Sequence, residues 1–489
     1  MTGLIMAAQL ILGLSILVVL HELGHYMFAR LFKIRIEKFY LFFNPKISIL
    51  RAKKINGKWN VKFFAKNVPS NLRERRDNEG NVITNAKGQV DWEPIPLEEL
   101  PDNDWRKYPK TTEWGIGWLP FGGYCSIVGM IDETKSANQL ESVPQPWEFR
   151  TKPAWQRLLV MIGGVLMNFI LGCALFIFIT YHYEGGYLAN KDVSEHGIYV
   201  YETGEQLGFE TGDKIVSVNG KDVVRFKDVG KTGIFFGSEI SVERNGKKID
   251  ITIPDTAYRM IQQGKRLFTY ANFPVLVDSV ADNSPAARGG LQQGDRILEI
   301  NDVAILSFGA FQAELAEHVN SKINVNVLRN NDTVMLTMQL DSLPILGFHQ
   351  HNPYTPVHYT FGEAVKYGLS DATDILSANI KGLGNVIKGQ DKASESLSGP
   401  IGIATIYGGT WDWSRFWFIT ALLSLVLAFM NLLPIPALDG GHVVFLLYEI
   451  ITKRKPSDKF MEYAQFIGMF LLFALMFFVI GNDIFKLFK

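Results

Sequence analysis

The sequence predicts a polytopic α-helical membrane protein. It should have about four membrane-spanning helices, a membrane-associated β-hairpin and two tandem α+β domains outside the membrane. Three observations predict this. The chain of 489 residues alternates between almost purely apolar stretches and plainly soluble ones. Four apolar stretches are long enough to cross a hydrocarbon core of roughly 30 Å at about 1.5 Å per residue. A short pattern repeats within the longest soluble segment.

The first span falls within residues 1–31 and carries His21-Glu22-Leu23-Gly24-His25. Two histidines four residues apart share one helix face and can grip one zinc ion. The glutamate between them can then serve as general base toward a water on the metal. The bland alternative is a chance match with core histidines. Three ionisable groups within a membrane helix argue against it, because each costs several kcal/mol unless paired or metal-bound. The apolar run lacks a basic leader and continues into the motif, so it reads as a retained span rather than a signal peptide.

Residues 32–114 should form a cytoplasmic region, polar, mixed in charge and rich in turn residues from 45 to 112. This reads as a partly ordered insertion, its Arg/Lys clusters a solvated face or an anionic-lipid contact. Residues 115–130 are apolar and Gly-rich, with β-prone residues either side of Gly122-Gly123. The expectation there is a re-entrant hairpin buried against protein or a cavity, since lipid cannot satisfy an open strand edge. A substrate strand could supply the missing partner.

The second span lies within 155–183, the third within 416–449, interrupted by Pro434 and Pro436, and the fourth within 461–486. Arg30, Lys33, Arg35 and Lys38 follow the first span, Arg150, Lys152 and Arg157 precede the second, and Lys453, Arg454, Lys455 and Lys459 separate the last two. Basic loops lie inside, so these loops should be cytoplasmic and the segment after the second span external. Residues 360–412 read as an amphipathic interfacial segment.

In the external segment, Gly208 to Asn219 aligns with Gly290 to Asn301. Each copy has a Gly-Asp turn and then an alternating strand ending at Asn. Both copies resemble PDZ domains, assigned here to 190–270 and 271–345. They are equally readable as peptide-binding or gating modules and as small domains without a ligand.

Two histidines leave a catalytic zinc one protein ligand short. Asp439 is the only carboxylate between Arg415 and Glu449. The prolines before it break helical hydrogen bonding, which is tolerated at membrane depth where the chain lines a site. Its alternative role is to cap a helix start after a kink. His442 is a weaker candidate ligand. Formal net charge is zero, which gives no field for nucleic acid. The two cysteines, Cys125 and Cys173, indicate neither a disulfide framework nor a thiolate metal site.

His21 to His25, Leu438-Asp439-Gly440, Gly164 with Asn168, and Asn431 with Pro434 together resemble the site-2 protease family. The tandem repeats and Ser398-Gly399-Pro400-Ile401-Gly402-Ile403 are similar to its regulator of sigma-E protease type. The resemblance covers nearly the whole chain, the cytoplasmic insertion being longer than the family's usual loop.

It implies an intramembrane zinc metalloendopeptidase in the bacterial inner membrane, acting in regulated intramembrane proteolysis. By resemblance, His21, His25 and Asp439 bind Zn2+ and Glu22 is the catalytic base. Asn431 and the hairpin residues Phe121, Gly122, Gly123 and Tyr124 hold substrate. Gly164, Asn168, Pro434 and Gly440 support the site. The implied substrates are single-span membrane proteins already trimmed outside, either anti-sigma factors or signal-peptide remnants. The PDZ-like pair would exclude untrimmed ones. Two rival readings are a non-catalytic PDZ-bearing membrane scaffold and a zinc transporter.

Overall fold

The computed structural model describes residues 2–67, 72–74, 82–83, 92–120, 122–130, 144–230, 238–254, 269–351, 356–389, 392–396 and 398–487. The chain divides into two compact units, one of Met1–Ile179 with Asn379–Lys489 and one of Thr180–Ala378.

The first unit holds the apolar helices. Four are long and apolar enough to cross a membrane: Thr2–Leu31, Ala154–Glu184, Trp413–Leu432 and Lys459–Lys486. Helix α1 (Thr2–Leu31) packs on α2 (Ala154–Ile179). Gly24 of α1 and Gly163 of α2 meet backbone to backbone, with no room for a Cβ on either. Such small residues let membrane helices approach closely.

Beside these helices lies a five-stranded sheet of β1 (Ile36–Leu41), β2 (Ile47–Ile55), β3 (Lys58–Lys66), β6 (Glu113–Ile116) and β7 (Tyr124–Ile127). The short strands β4 (Leu72–Glu74) and β5 (Trp92–Pro94) pair only with each other. The order in the large sheet is β3-β2-β6-β1-β7. A buried cluster of Ala29, Ile34, Ile127, Val160, Met161 and Leu446 ties the sheet to the helices.

This topology corrects one expectation. The 115–130 segment is not a hairpin. β1 stands between β6 and β7, pairing parallel to the first and antiparallel to the second. The connection has to cross the end of β1, and Gly123 passes so close that a Cβ there would lie 2.5 Å from the Tyr40 carbonyl oxygen. Local β-propensity around Gly122-Gly123 cannot reveal that a strand from eighty residues upstream inserts between them. Within the polar stretch after residue 45, expected to be a partly ordered insertion, β2 and β3 extend the same sheet.

Helix α3 (Phe361–Ile387) leads toward the short α4 (Pro400–Tyr407). The expected third span is two helices, α5 (Trp413–Leu432) and α6 (Asp439–Thr452). Helix α5 stops because Pro434 disfavours helical backbone at Leu433, which is extended with φ −61 and ψ 145. Ala437, with φ 82, takes a left-handed conformation that turns the chain into α6. The last helix, α7 (Asp458–Leu487), caps α4 from afar. Asp483 accepts hydrogen bonds from the backbone N–H groups of Gly399, Ile401 and Gly402 at 2.9–3.0 Å. This explains both a carboxylate in an apolar helix and the Ser398–Ile403 motif.

The second unit contains two β-rich domains with separate cores. One core runs from Val193 to Phe273, the other from Val275 to Leu346. The first domain has a four-stranded sheet ordered Lys221–Asp222, Lys214–Val218, Glu239–Arg244, Lys247–Thr252. In the second, five strands follow the order Asp332–Gln339, Lys322–Arg329, Arg296–Ile300, Val275–Val280, Phe348–Gln350.

The sequence repeat is a repeat of interactions. Asp213 accepts from the Glu210 N–H and pairs with Arg244, while Asp295 accepts from the Gln292 N–H and pairs with Arg329. Asn219 accepts from the Glu239 N–H and Asn301 from the Asn324 N–H, both at 2.9 Å.

Candidate metal centre

Three apolar helices build the site. His21 and His25 project from one face of α1, and Asp439 is the first residue of α6. Nε2 of His21 lies 3.1 Å from Oδ2 of Asp439 and 3.2 Å from Nε2 of His25, which is itself 3.4 Å from Oδ2. Among the described residues this is the one His/Cys/Asp/Glu group placed to hold a metal ion.

The donor set fits zinc. Oδ2 of Asp439 is buried and has no hydrogen-bond partner. A buried carboxylate oxygen facing two imidazole nitrogens needs a cation among them. A tetrahedral zinc with bonds of about 2.0–2.2 Å sets neighbouring donors about 3.3–3.6 Å apart, close to the spacing here.

The surroundings set which nitrogen faces inward. Nδ1 of His25 donates to the Val160 carbonyl at 2.8 Å, leaving Nε2 to point at Asp439. The Asn168 amide lies 3.4 Å from Nδ1 of His21, and Asn168 Oδ1 is otherwise unpartnered. With the amide turned so that Oδ1 accepts from Nδ1–H, both atoms are satisfied. Ser424 of α5 donates to the Asn168 carbonyl at 2.7 Å and ties this turn of α2 to α5. Gly164 is the one residue of α2 that leaves room for both rings.

Glu22 is half-buried beside the histidines, with the backbone of Cys125 in β7 close to its carboxylate. Strand β7 is an edge strand, paired on one side with β1 and with no strand on the other among the described residues. The alternating sheet faces put Cys125 and Phe39 together on the side that packs against α1.

The other anticipated residues fall around this centre. Gly122, Gly123 and Tyr124 lead into β7, with Tyr124 stacked on Tyr40 at 5.3 Å and donating to Asn44 at 3.0 Å. Burial and the nearby Glu113 carboxylate raise the phenols of Tyr40 and Tyr124 above the ordinary range. Phe121 lies outside the described residues. Asn431 is half-buried in the last turn of α5, Pro434 is in the link to α6, and Gly440 sits where any side chain would strike the backbone at Leu432 and Leu433.

His442 is not among the converging donors. It faces Gln465 of α7 at 3.0 Å in a cavity that also touches Gly129, Arg157 and Glu449. Three supporting groups had no sequence signal. They are the Val160 carbonyl, Ser424, and the Arg157–Glu449 ion pair (2.5 Å) that joins α2 to α6. Only the Arg157 charge was visible, as a flank of the second span.

Comparison with known proteins shows the family. The model of peptidase family M50 matches residues 9–65 and 104–475, leaving out only part of the stretch between the first two apolar helices and the two ends of the chain. The chain is 26% identical to the regulator of sigma-E protease of Escherichia coli over 98% of each chain. It is 27% identical to the regulator of sigma E protease of Haemophilus influenzae, covering 78% of this chain and 89% of that one. A Vibrio cholerae protein provisionally named a zinc metalloprotease is 26% identical over 98% of both. The chain therefore belongs to peptidase family M50, the site-2 proteases, and is a membrane-embedded zinc metalloprotease.

Proposed function

We propose that the chain cleaves membrane-spanning segments of single-span proteins already trimmed on the outer side, anti-sigma factors or signal-peptide remnants among them. One observation carries this reading. Three side chains that could hold a metal ion converge from apolar helices beside a strand that is unpaired on one edge among the described residues.

In this reading His21, His25 and Asp439 hold zinc. When bound, zinc polarises the scissile carbonyl and lowers the pKa of a coordinated water toward about 7. Glu22, beside the Cys125 backbone, takes the proton of the attacking water and returns it to the departing amine.

A peptide bond within a helix is hydrogen-bonded and shielded, so the substrate must unwind first. The β7 edge offers backbone groups to an added strand, which satisfies the unwound chain where lipid cannot. Residues 121–124 and the Asn431 amide would hold that strand. Gly164, Asn168, Pro434 and Gly440 keep the helices at the required spacing. Water would have to reach the centre from the cytoplasmic side.

The basic loops place the two repeated β domains outside the bacterial inner membrane. There, as a PDZ-like pair, they would exclude substrates with bulky outer domains.

The test is cleavage in proteoliposomes of a single-span substrate with and without its outer domain. Wild-type chain should cut the trimmed form, and Glu22→Gln should cut neither while retaining zinc. Undiminished cleavage by Glu22→Gln would overturn the mechanism. Equal cleavage of the untrimmed form would overturn the screening role.

A further inference from the structure

The outer end of the cytoplasmic sheet has a surface that the protease chemistry does not use. From Lys46 to Lys66 the chain has seven basic residues and no acidic one. Of these, Lys46, Lys54, Lys58, Lys62 and Lys66 are exposed. The same hairpin exposes Trp59 at 60%, Val61 at 47% and Phe63 at 64%. Dense positive charge with exposed aromatic and aliphatic residues is the composition of a membrane-surface element.

The sheet register shows which way these side chains face. Phe39, Trp114, Ala52 and Val61 form one row across four strands, and Leu41, Ile116, Leu50 and Phe63 form the next. Paired residues share a face. On that face Trp114 and Phe39 pack against Tyr26 of α1, with ring centres 5.1 and 5.9 Å apart. Tyr26 follows the metal-binding motif on a helix that crosses the membrane. Trp59, Val61 and Phe63 thus continue, away from α1, the apolar face that the sheet turns toward its membrane helix. The opposite face packs on protein at β2, with Arg51 and Lys62 over the Trp105 ring at 4.5 and 5.0 Å, and leaves Asn60 of β3 exposed.

We propose that the β2–β3 hairpin is a docking surface for the anionic lipid headgroups of the inner leaflet. Trp59, Val61 and Phe63 enter the headgroup layer, Lys54 beside Trp59 on the same face meets its negative charge, and Lys58 and Lys66, which alternate onto the other face of this edge strand, reach that charge around the edge. Charge complementarity and continuity with α1 select lipid over another chain. Lysines spaced along an exposed edge also oppose pairing with a further strand. Docking would hold the far end of the sheet against the bilayer, so that β7 at the other end stays level with Glu22. The inference does not depend on what the enzyme cleaves.

The test uses the full chain with Cys125 and Cys173 replaced by alanine, zinc content serving as the check of folding. A nitroxide is placed at Val61→Cys or, on the other face, Asn60→Cys. The protein is reconstituted in nanodiscs of phosphatidylcholine with or without phosphatidylglycerol. With phosphatidylglycerol, the label at 61 should collide with oxygen and be shielded from an aqueous nickel chelate, and the label at 60 should show the reverse. Omitting phosphatidylglycerol, or combining Lys54→Gln, Lys58→Gln and Lys66→Gln, should shift the label at 61 toward water. Free nickel access to 61 in every lipid would overturn the proposal in favour of a solvated face. Shielding from both reagents would mean that protein covers it, which also overturns it. Equal insertion with and without phosphatidylglycerol would remove the role of charge. If Val61→Cys fails to retain zinc, Phe63→Cys on the same face reads the same contrast.

Discussion

Gly164→Ala isolates the spacing between α1 and α2. A Cβ at this position would stand 2.5 Å from Nε2 of His25, and 2.6 and 2.8 Å from Cε1 and Nδ1 of His21. Ordinary contact begins near 3.4 Å, so the rings must retreat by about 0.6–0.9 Å or α2 must back away. Backing away is resisted by the close backbone contact of Gly24 with Gly163. Ring retreat is resisted by the bond from His25 to Val160. Displaced ligands of this kind lower metal affinity by about 10–100-fold, and a misplacement near 1 Å costs about 10²-fold in rate. The overpacking itself should cost only about 1–3 kcal/mol of stability, which the fold tolerates. Zinc affinity is read by competition with a chelator and the rate by cleavage of a single-span substrate. Gly382→Ala, where no atom lies within 4 Å of the added Cβ, serves as the unperturbed control. A folded Gly164→Ala enzyme with wild-type zinc affinity and rate would refute the argument that this glycine is required by the imidazoles.

Two further outcomes follow from buried carboxylates. Asp483→Ala strands three backbone donors at the start of α4, each worth about 1–3 kcal/mol when left unsatisfied, so thermal unfolding in detergent should fall markedly. Asp483→Asn, which keeps an acceptor, should recover part of the loss, and an unchanged transition in both would refute the cap. In the repeated domains, Arg329→Ala and Arg244→Ala each leave a carboxylate that is 0–1% exposed without its cation. Both should destabilise their own domain by about 3–5 kcal/mol, seen as faster amide exchange in Lys322–Arg329 or Glu239–Arg244. A large loss in one domain only would show that the repeat is not energetically equivalent.

Much of the centre was legible because its chemistry is local or rare. His21 and His25 share a helix face by spacing alone. Asp439 stood out as an isolated carboxylate in an apolar stretch, and Pro434 marked the break that places it at a helix start. The groups that orient the ligands were not legible. The Val160 carbonyl belongs to every residue type, and Ser424 is an ordinary polar residue of an apolar helix. The Asp213 and Asp295 turns were visible as a repeat, yet their partners Arg244 and Arg329 lie on other strands at no fixed spacing. The hairpin expectation failed for the same reason. Strand-forming character around Gly122-Gly123 is local, but the choice of β1 as the shared neighbour depends on pairing across some eighty residues of chain.

By itself, then, the sequence determined what is written in composition and short-range period: apolar runs long enough to span a bilayer, a motif on one helix face, a basic bias in alternate loops, and a duplicated turn. Only the tertiary structure decided that α1, α2 and α6 meet so that His21, His25 and Asp439 converge within 3.1–3.4 Å. It also decided that β7, beside Glu22, is an edge strand among the described residues and that β3 carries the apolar face outward. The reason is physical. Periodicity constrains a residue against its own helix or strand, whereas ligand convergence and strand order depend on which distant surfaces pack, and close approaches such as Gly24 on Gly163 settle that only once the chain is folded.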